Sequence, residues 1–359
     1  MEKVVEKQVR KYFEEKNLLP MQQHGFRQGR STVTALTSMM SDWVCNYENG
    51  RHTGALLWDL SAAFDTIDTD IFCKKLEIYG ADRRTIEWFR SFLSDREQRV
   101  VVGSAQSEPV SSLSIGCPQG SLLSPLIFLI YVADMELWVD QVRLNSFADD
   151  TISSYSSSDE NDVIDKLQAD STNLLRFMAS NALVANPKKT GFLLIRSGAM
   201  SESKSITVGN ETIKEESKHK ILGMVVDNRL KWDEHVYGQN GVLSAVNKRV
   251  GVLRRLSNYI PRKYLPQIAT AIVSSKIRYG LGIYGTVRTN NRDPHDNHQK
   301  DLQIVLNKAM RLVTGKKLSD RVSINDLCTE SGMVSVNRMS AIDKISLTWN
   351  SEQPEISAS

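Results

Sequence analysis

Two aspartates stand side by side in the run Phe147-Ala148-Asp149-Asp150. A short apolar stretch, Val142 to Ser146, precedes them, and a β-rich polar stretch, Thr151 to Tyr155, follows. The pattern predicts a hairpin with both carboxylates at its turn. Adjacent carboxylates repel each other unless a cation sits between them. Mg²⁺ accepts such oxygens together with substrate phosphates. Asp-Asp is also common in solvated turns, so the pair gains meaning only from other residues of the chain. A third acid, Asp59, ends the apolar run Gly54-Ala55-Leu56-Leu57-Trp58, which reads as a central strand. The end of a buried strand is where α/β sheets place their chemistry. The plainer option is that Asp59, Asp65 and Asp68 cap helices.

Three further segments carry groups suited to phosphate or nucleotide. Gln23 to Thr32 packs two glycines with Arg27 and Arg30 ahead of an apolar-periodic helix, either to present cations to phosphate or as a surface turn. Gly116 to Pro125 is a rigid Gly/Pro turn opening an apolar helix over about 121–139. Gln119 and the Gly120 backbone lie at its mouth, placed for a base, sugar or phosphate, or simply exposed. Asn186-Pro187-Lys188-Lys189-Thr190 leads into the apolar strand Gly191 to Ile195, and its lysine is either solvated or within reach of phosphate.

The elements that must hold these groups alternate in type. Helical spacing predicts helices over 2–16, 32–47, 70–80, 83–93, 160–180, 301–314 and 336–350. Strands are predicted at 54–58, 98–103, 110–115, 206–213 and 219–226, with a polar linker at 285–300 and disorder after Ser351.

The chain of 359 residues is long enough for two or three domains, and its 41% hydrophobic and 24% charged residues are ordinary for a globular protein. Cys45, Cys73, Cys117 and Cys328 form no CxxC pair, which argues against a zinc site or a disulfide framework. No secretory or membrane-spanning segment stands out, which implies an intracellular protein of nucleus or cytoplasm with no membrane partner. The net charge of +3 names no partner by itself, but its distribution does. From His235 to Arg292 there is no acid and there are ten basic residues, among them Lys248, Arg249, Arg254, Arg255, Arg262 and Lys263, with tyrosines interleaved. That is the electrostatic footprint of a polyanion-binding segment.

Taken in order, these blocks resemble the reverse transcriptase of non-LTR retrotransposons, most closely the jockey-like elements. Gln23 to Thr32 is similar to the family's QHGFRxGRST segment, Trp58 to Ile67 to LDLSKAFDTV, Gly116 to Pro125 to GVPQGSVLGP, and Phe147 to Thr151 to FADDT. Asn186 to Thr190 resembles NxxKT, Leu222 to His235 resembles LGxxxDxxLxWxxH, and Leu302 to Gly315 resembles LQxxxNxAxRxxTG. The resemblance spans nearly the whole chain.

It implies an α+β right-hand polymerase fold: partial fingers over 1–53, a palm with an antiparallel sheet over 54–234 that includes a fingers segment at about 81–115, an α-helical thumb over 235–285, and a C-terminal helical extension. The implied activity is RNA-directed DNA synthesis from dNTPs on an RNA template and DNA primer. Asp59, Asp149 and Asp150, with Leu60 beside Asp59, would hold two Mg²⁺ ions, and Mn²⁺ could substitute. Phe64 would be the steric gate against a 2′-hydroxyl, Gln119 and Gly120 would meet the nucleotide, and Lys189 would donate a proton to pyrophosphate. Leu222 and Gly223 would form the primer grip. Arg27 and Arg30 would touch template or phosphate, and the basic residues of 248–263 would bind nucleic acid. Ala62, Trp58 and Cys117 depart from the family's usual lysine, aliphatic residue and valine without touching the carboxylates. The family's Arg-Pro-Ile block has no counterpart ahead of the first helix, so the resemblance implies an N-terminally truncated copy. The alternative function is then a catalytically inactive remnant that only binds nucleic acid.

Overall fold

The computed structural model describes residues 1–61, 63–94, 96–111, 115–186, 189–198, 202–285 and 295–352. The polypeptide divides into two compact units. The first comprises residues 1–35 and 45–217; the second comprises 36–44 and 218–359.

The first unit is built on a six-stranded sheet. Its strands are β1 (His52–Trp58), β2 (Arg143–Phe147), β3 (Asp150–Ser157), β4 (Gly191–Ile195), β5 (Ser205–Val208) and β6 (Glu211–Glu216), arranged in the order β5-β6-β4-β1-β3-β2. Every pairing is antiparallel except β4 with β6. β1 is central because six of its seven residues are buried, so neither face could meet water. Leu56, Trp58, Leu144, Phe192 and Leu194 point to one face. There they join a core with helices α1 (Glu2–Glu15), α3 (Thr69–Ile78), α4 (Arg83–Leu93), α5 (Ser124–Tyr131) and α6 (Glu160–Ser180). α6 presses so closely on β1 that a Cβ at Gly54 would lie 2.5 Å from Leu167 and from Val163.

Local chemistry sets the helix starts. Helix α2 (Thr32–Glu48) opens with a capping box, in which Ser31 Oγ accepts the Thr34 N–H and Thr34 Oγ1 accepts the Ser31 N–H. Asp68, Asp82 and Asp159 cap α3, α4 and α6. The apolar helix expected over 121–139 is shorter. It starts at Ser124 and stops at Tyr131, followed by a 3₁₀ turn at Met135–Trp138. The buried Lys75 ammonium takes the Tyr131 carbonyl and the Asp134 carboxylate, which ends the helix there. Past that break, Asp170 is buried and its carboxylate accepts the backbone N–H groups of Asp140, Gln141 and Val142, aiming the chain into β2.

The strands expected at 98–103 and 110–115 form two short ribbons, Glu97–Gln98 with Val110–Ser111 and Val101–Val102 with Ala105–Gln106. Residues 112–114 of that expectation lie outside the described residues, as do Ala62, Pro187, Lys188, most of the linker and residues 353–359. The strand expected at 206–213 is a hairpin, β5 and β6.

The second unit opens with another hairpin where one strand was expected, β7 (Lys218–Ile221) and β8 (Met224–Asp227). Helices α7 (Asp233–Tyr237), α8 (Val242–Leu256), α9 (His295–Thr314), α10 (Ile324–Ser331) and α11 (Val336–Glu352) follow, with a helical run over 265–278 between α8 and α9. α8 buries Val242, Val246, Val250 and Leu253 at helical spacing and exposes Lys248, Arg254 and Arg255. α9 begins at His295, so the second half of the expected linker is helical.

Candidate active site

β1 ends with Trp58 paired to Thr151 of β3, so the next residue, Asp59, faces Asp150 across the strand pair. β2 and β3 close on Phe147 paired to Asp150, which leaves Ala148 and Asp149 as a two-residue turn. Strand alternation turns Asp59 and Asp150 away from the helix-covered face that holds Leu56 and Trp58. Two acids at strand ends and one at a turn thus share one corner. No helix follows Asp59: Leu60–Ser61 forms a short strand with Val184–Ala185, which removes the capping option. The Leu60 side chain is buried in the core, so only its backbone could serve an ion.

The electrostatics of this corner are those of an uncompensated acidic site. Burial, then Asp149, then Asp59 raise the Asp150 carboxyl above the ordinary aspartate range. Asp59 Oδ2 is buried and accepts no hydrogen bond. Its counter-charge is the Lys189 ammonium at 3.5 Å. Lys189 is placed there by a turn in which the Asn186 N–H donates to the Asp59 carbonyl and the Lys189 and Thr190 N–H groups donate to the Asn186 carbonyl. An orphaned carboxylate oxygen beside two more acids fits a divalent cation. Among the described residues no group of three acids, histidines or cysteines could hold an ion alone. An ion here would therefore complete its shell with water, backbone or phosphate oxygens.

The turn is gripped by a residue to which the sequence assigned no role. Gln23 is 3% exposed. Its Oε1 accepts the Ala148 N–H at 3.0 Å and the Gly25 N–H at 2.8 Å, and its Nε2 donates to the Ala148 carbonyl at 3.3 Å. The backbone on either side joins the edge of β2, with the His24 N–H donating to the Ser146 carbonyl and the Ser146 N–H to the Gln22 carbonyl. A Cβ at Gly25 would lie 2.2 Å from the Ala148 nitrogen. The one available signal was that Gln23 and Gly25 open the block that also carries Arg27 and Arg30.

Those two arginines differ from the expectation of a cation-presenting loop. Arg27 pairs with Glu14 and donates to the Pro20 carbonyl at 2.6 Å. Arg30 donates to the carbonyls of Met21 and Gln23. Both brace the loop that holds Gln23, because a turn rich in glycine has carbonyls to satisfy. Phe64 is half-buried, its ring 5.0 Å from that of Phe128 and 6.1 Å from that of Phe26. Gln119 is exposed and donates to Asp65 Oδ1 at 3.1 Å, and open space surrounds Gly120. Asp65 therefore anchors the Gln119 amide, whereas Asp68 is the helix cap the plainer option described.

In the second unit, Leu222 and Gly223 are the tip of the β7–β8 hairpin, with φ +44° and +85°. The Tyr279 hydroxyl donates to the Leu222 carbonyl. The Asp227 carboxylate accepts the backbone N–H groups of Arg229, Lys231 and Trp232. His235 Nδ1 accepts the Val225 N–H, and burial, then Lys276 and His298, push that imidazole down to about 4. Of the basic residues, Lys248, Arg254, Arg255, Arg262 and Lys263 are exposed. Arg249 is half-buried and donates to the Ile272 carbonyl. Arg288 and Arg292 lie outside the described residues.

Residues 1–226 match the family model described as reverse transcriptase (RNA-dependent DNA polymerase). The chain belongs to this reverse transcriptase family. Its relatives are transposon-borne, as the sequence blocks implied. The probable RNA-directed DNA polymerase from transposon BS of Drosophila melanogaster is 26% identical over 87% of the chain and 34% of its own length. The RNA-directed DNA polymerase from mobile element jockey of the same fly is 22% identical over 83% of the chain and 32% of its own length. The apo telomerase structure from Candida tropicalis is 12% identical over 97% of the chain and 58% of that one, with a TM-score of 0.48. This reverse transcriptase chain spans about a third of the length of the curated relatives it matches. No helix among its described residues is long and apolar enough to cross a membrane.

Proposed function

We propose that the chain is the polymerase part of a non-LTR retrotransposon reverse transcriptase, extending a DNA primer on an RNA template with dNTPs. The observation that carries this is the strand register that sets Asp59 opposite Asp150 and beside Asp149, with Asp59 Oδ2 buried and orphaned. Two Mg²⁺ ions, or Mn²⁺ in their place, would acidify the primer 3′-hydroxyl and neutralise the triphosphate. Phosphoryl transfer asks the protein mainly for positioning and charge.

Asp59, Asp149, Asp150 and the Leu60 backbone supply the oxygens. Lys189 balances Asp59 in the free chain, and from the same position hands a proton to departing pyrophosphate. The Phe64 ring closes the nucleotide pocket against a 2′-hydroxyl, and the Gln119 amide, held by Asp65, meets the nucleotide beside Gly120. Leu222 and Gly223 present hairpin backbone to the primer. Lys248, Arg254, Arg255, Arg262 and Lys263 line the nucleic-acid path, Arg249 supporting it from behind. In polymerase terms, residues 1–53 are fingers, 54–234 palm, 235–285 thumb and the remainder a helical extension.

Primer extension on an RNA template with Mg²⁺ and dNTPs, beside an Asp149→Ala, Asp150→Ala double variant, tests the proposal. Extension by the wild type alone supports it. Template binding with no extension by either protein leaves an inert binder and overturns it.

A further inference from the structure

The grip on the acidic turn has a consequence for catalysis. A two-residue turn with a non-glycine residue at φ +57° sits in a sparsely populated backbone region and stays there only when its surroundings hold it. At Ala148 the surroundings are one side chain. Gln23 takes both polar groups of that residue, the N–H at 3.0 Å and the carbonyl at 3.3 Å. Gln23 is in turn locked by the Gly25 N–H at 2.8 Å. Gly25 lies flat against the same peptide, where no Cβ would fit. The Ala148 carbonyl belongs to the peptide that joins Asp149, so the amide of residue 23 fixes the plane from which that carboxylate projects.

We infer that Gln23 is a positioning residue for the Asp149–Asp150 pair, setting the spacing of the two carboxylates through the Ala148 peptide groups without touching substrate. The inference rests on the polymerase reading of that pair. Gln23→Leu keeps the volume and apolar stem and removes all three bonds. A misplacement of about 1 Å in a phosphoryl-transfer site costs on the order of a hundredfold in rate, and loss of a residue that orients a metal ligand costs about ten- to a hundredfold in metal affinity.

The expected result is a folded Gln23→Leu variant that binds template–primer as the wild type does. Its Mn²⁺ affinity, read by electron paramagnetic resonance without nucleotide, falls about tenfold, and its kcat falls with KM for dNTP little changed. Gln23→Glu keeps both accepted bonds and restores Mn²⁺ binding. A folded Gln23→Leu chain with wild-type Mn²⁺ affinity overturns the inference: that side chain would only fill space. Hydrogen exchange in the unmodified chain needs no variant. Protection of the Ala148 amide supports the clamp, and exchange at the rate of an open turn overturns it. If the wild-type chain extends no primer, the polymerase reading fails, while Mn²⁺ affinity and Ala148 exchange still decide for or against the clamp.

Discussion

At Asp150, burial and two neighbouring acids disfavour the charged form. An acid with a raised folded pKa gives stability that is present below its unfolded pKa, near 4, and is lost as pH rises through the folded value. The cation-free chain should therefore be strained by this group at neutral pH. Asp150→Asn should raise its melting temperature there and abolish the further rise on adding Mg²⁺. Melting curves with Mg²⁺ or with a chelator check this, and a lower melting point for the cation-free variant would count against it. Phe64→Val should increase ribonucleotide incorporation relative to deoxynucleotide by about tenfold or more, since the ring acts by excluding one hydroxyl; single-nucleotide incorporation assays read the ratio. The three acids were legible because their type announces charge chemistry. Gln23 was not, because its partners are peptide groups 125 positions away and any polar side chain could hold a peptide.

Single acceptors organise whole elements. Asp170 gathers three N–H groups ahead of β2, and Asp227 gathers three after β8. Asp170→Ala leaves buried donors unpaired and should cost about 2–3 kcal/mol by urea unfolding. Asp227→Ala, half-exposed, should cost less, about 1–2 kcal/mol. The imidazole of His235 is pushed down to about 4, and so is that of His24, by burial and then Arg30, Arg27 and Arg143. A depressed base gives stability that is present above its unfolded pKa, near 6.5, and is lost as pH falls toward the folded value. Unfolding free energy should thus drop between about pH 6.5 and 4 with the slope of two protons; a flat profile across that window would show the two rings titrating freely. Periodicity placed α6 and β4 correctly because apolar spacing alone defines them. It overran α5, because the stop is imposed by Lys75, a residue from another helix. It merged two hairpins into two strands, because Gly209 and Gly223 sit inside otherwise continuous β-type pattern.

Across the whole molecule, the basic stretch read from the sequence resolves into exposed and internally committed cations. Nucleic-acid affinity should fall steeply with salt. Replacing Arg254 and Arg255 together by alanine should reduce the slope of log affinity against log salt by about 1.5, whereas Arg249→Ala should lower the melting point more than the slope. Filter binding across a salt series separates the two. The right-hand polymerase family was legible as an order of short blocks. The division at residue 217 was not, because the β6–β7 connection carries no Gly/Pro-rich linker that composition would mark.

The register of the sheet also dictates an order of events at the ribosome. β1 pairs on one side with β3 and on the other with β4, so Thr53 waits for Ser156 and then for Ile195. Until Ile195 has emerged, the most apolar strand of the chain has an unpaired edge. At about 5–20 residues per second that exposure lasts many seconds during synthesis. The nascent chain is consequently a client for chaperones, and fragments ending before Ile195 should be recovered as aggregates rather than as soluble intermediates.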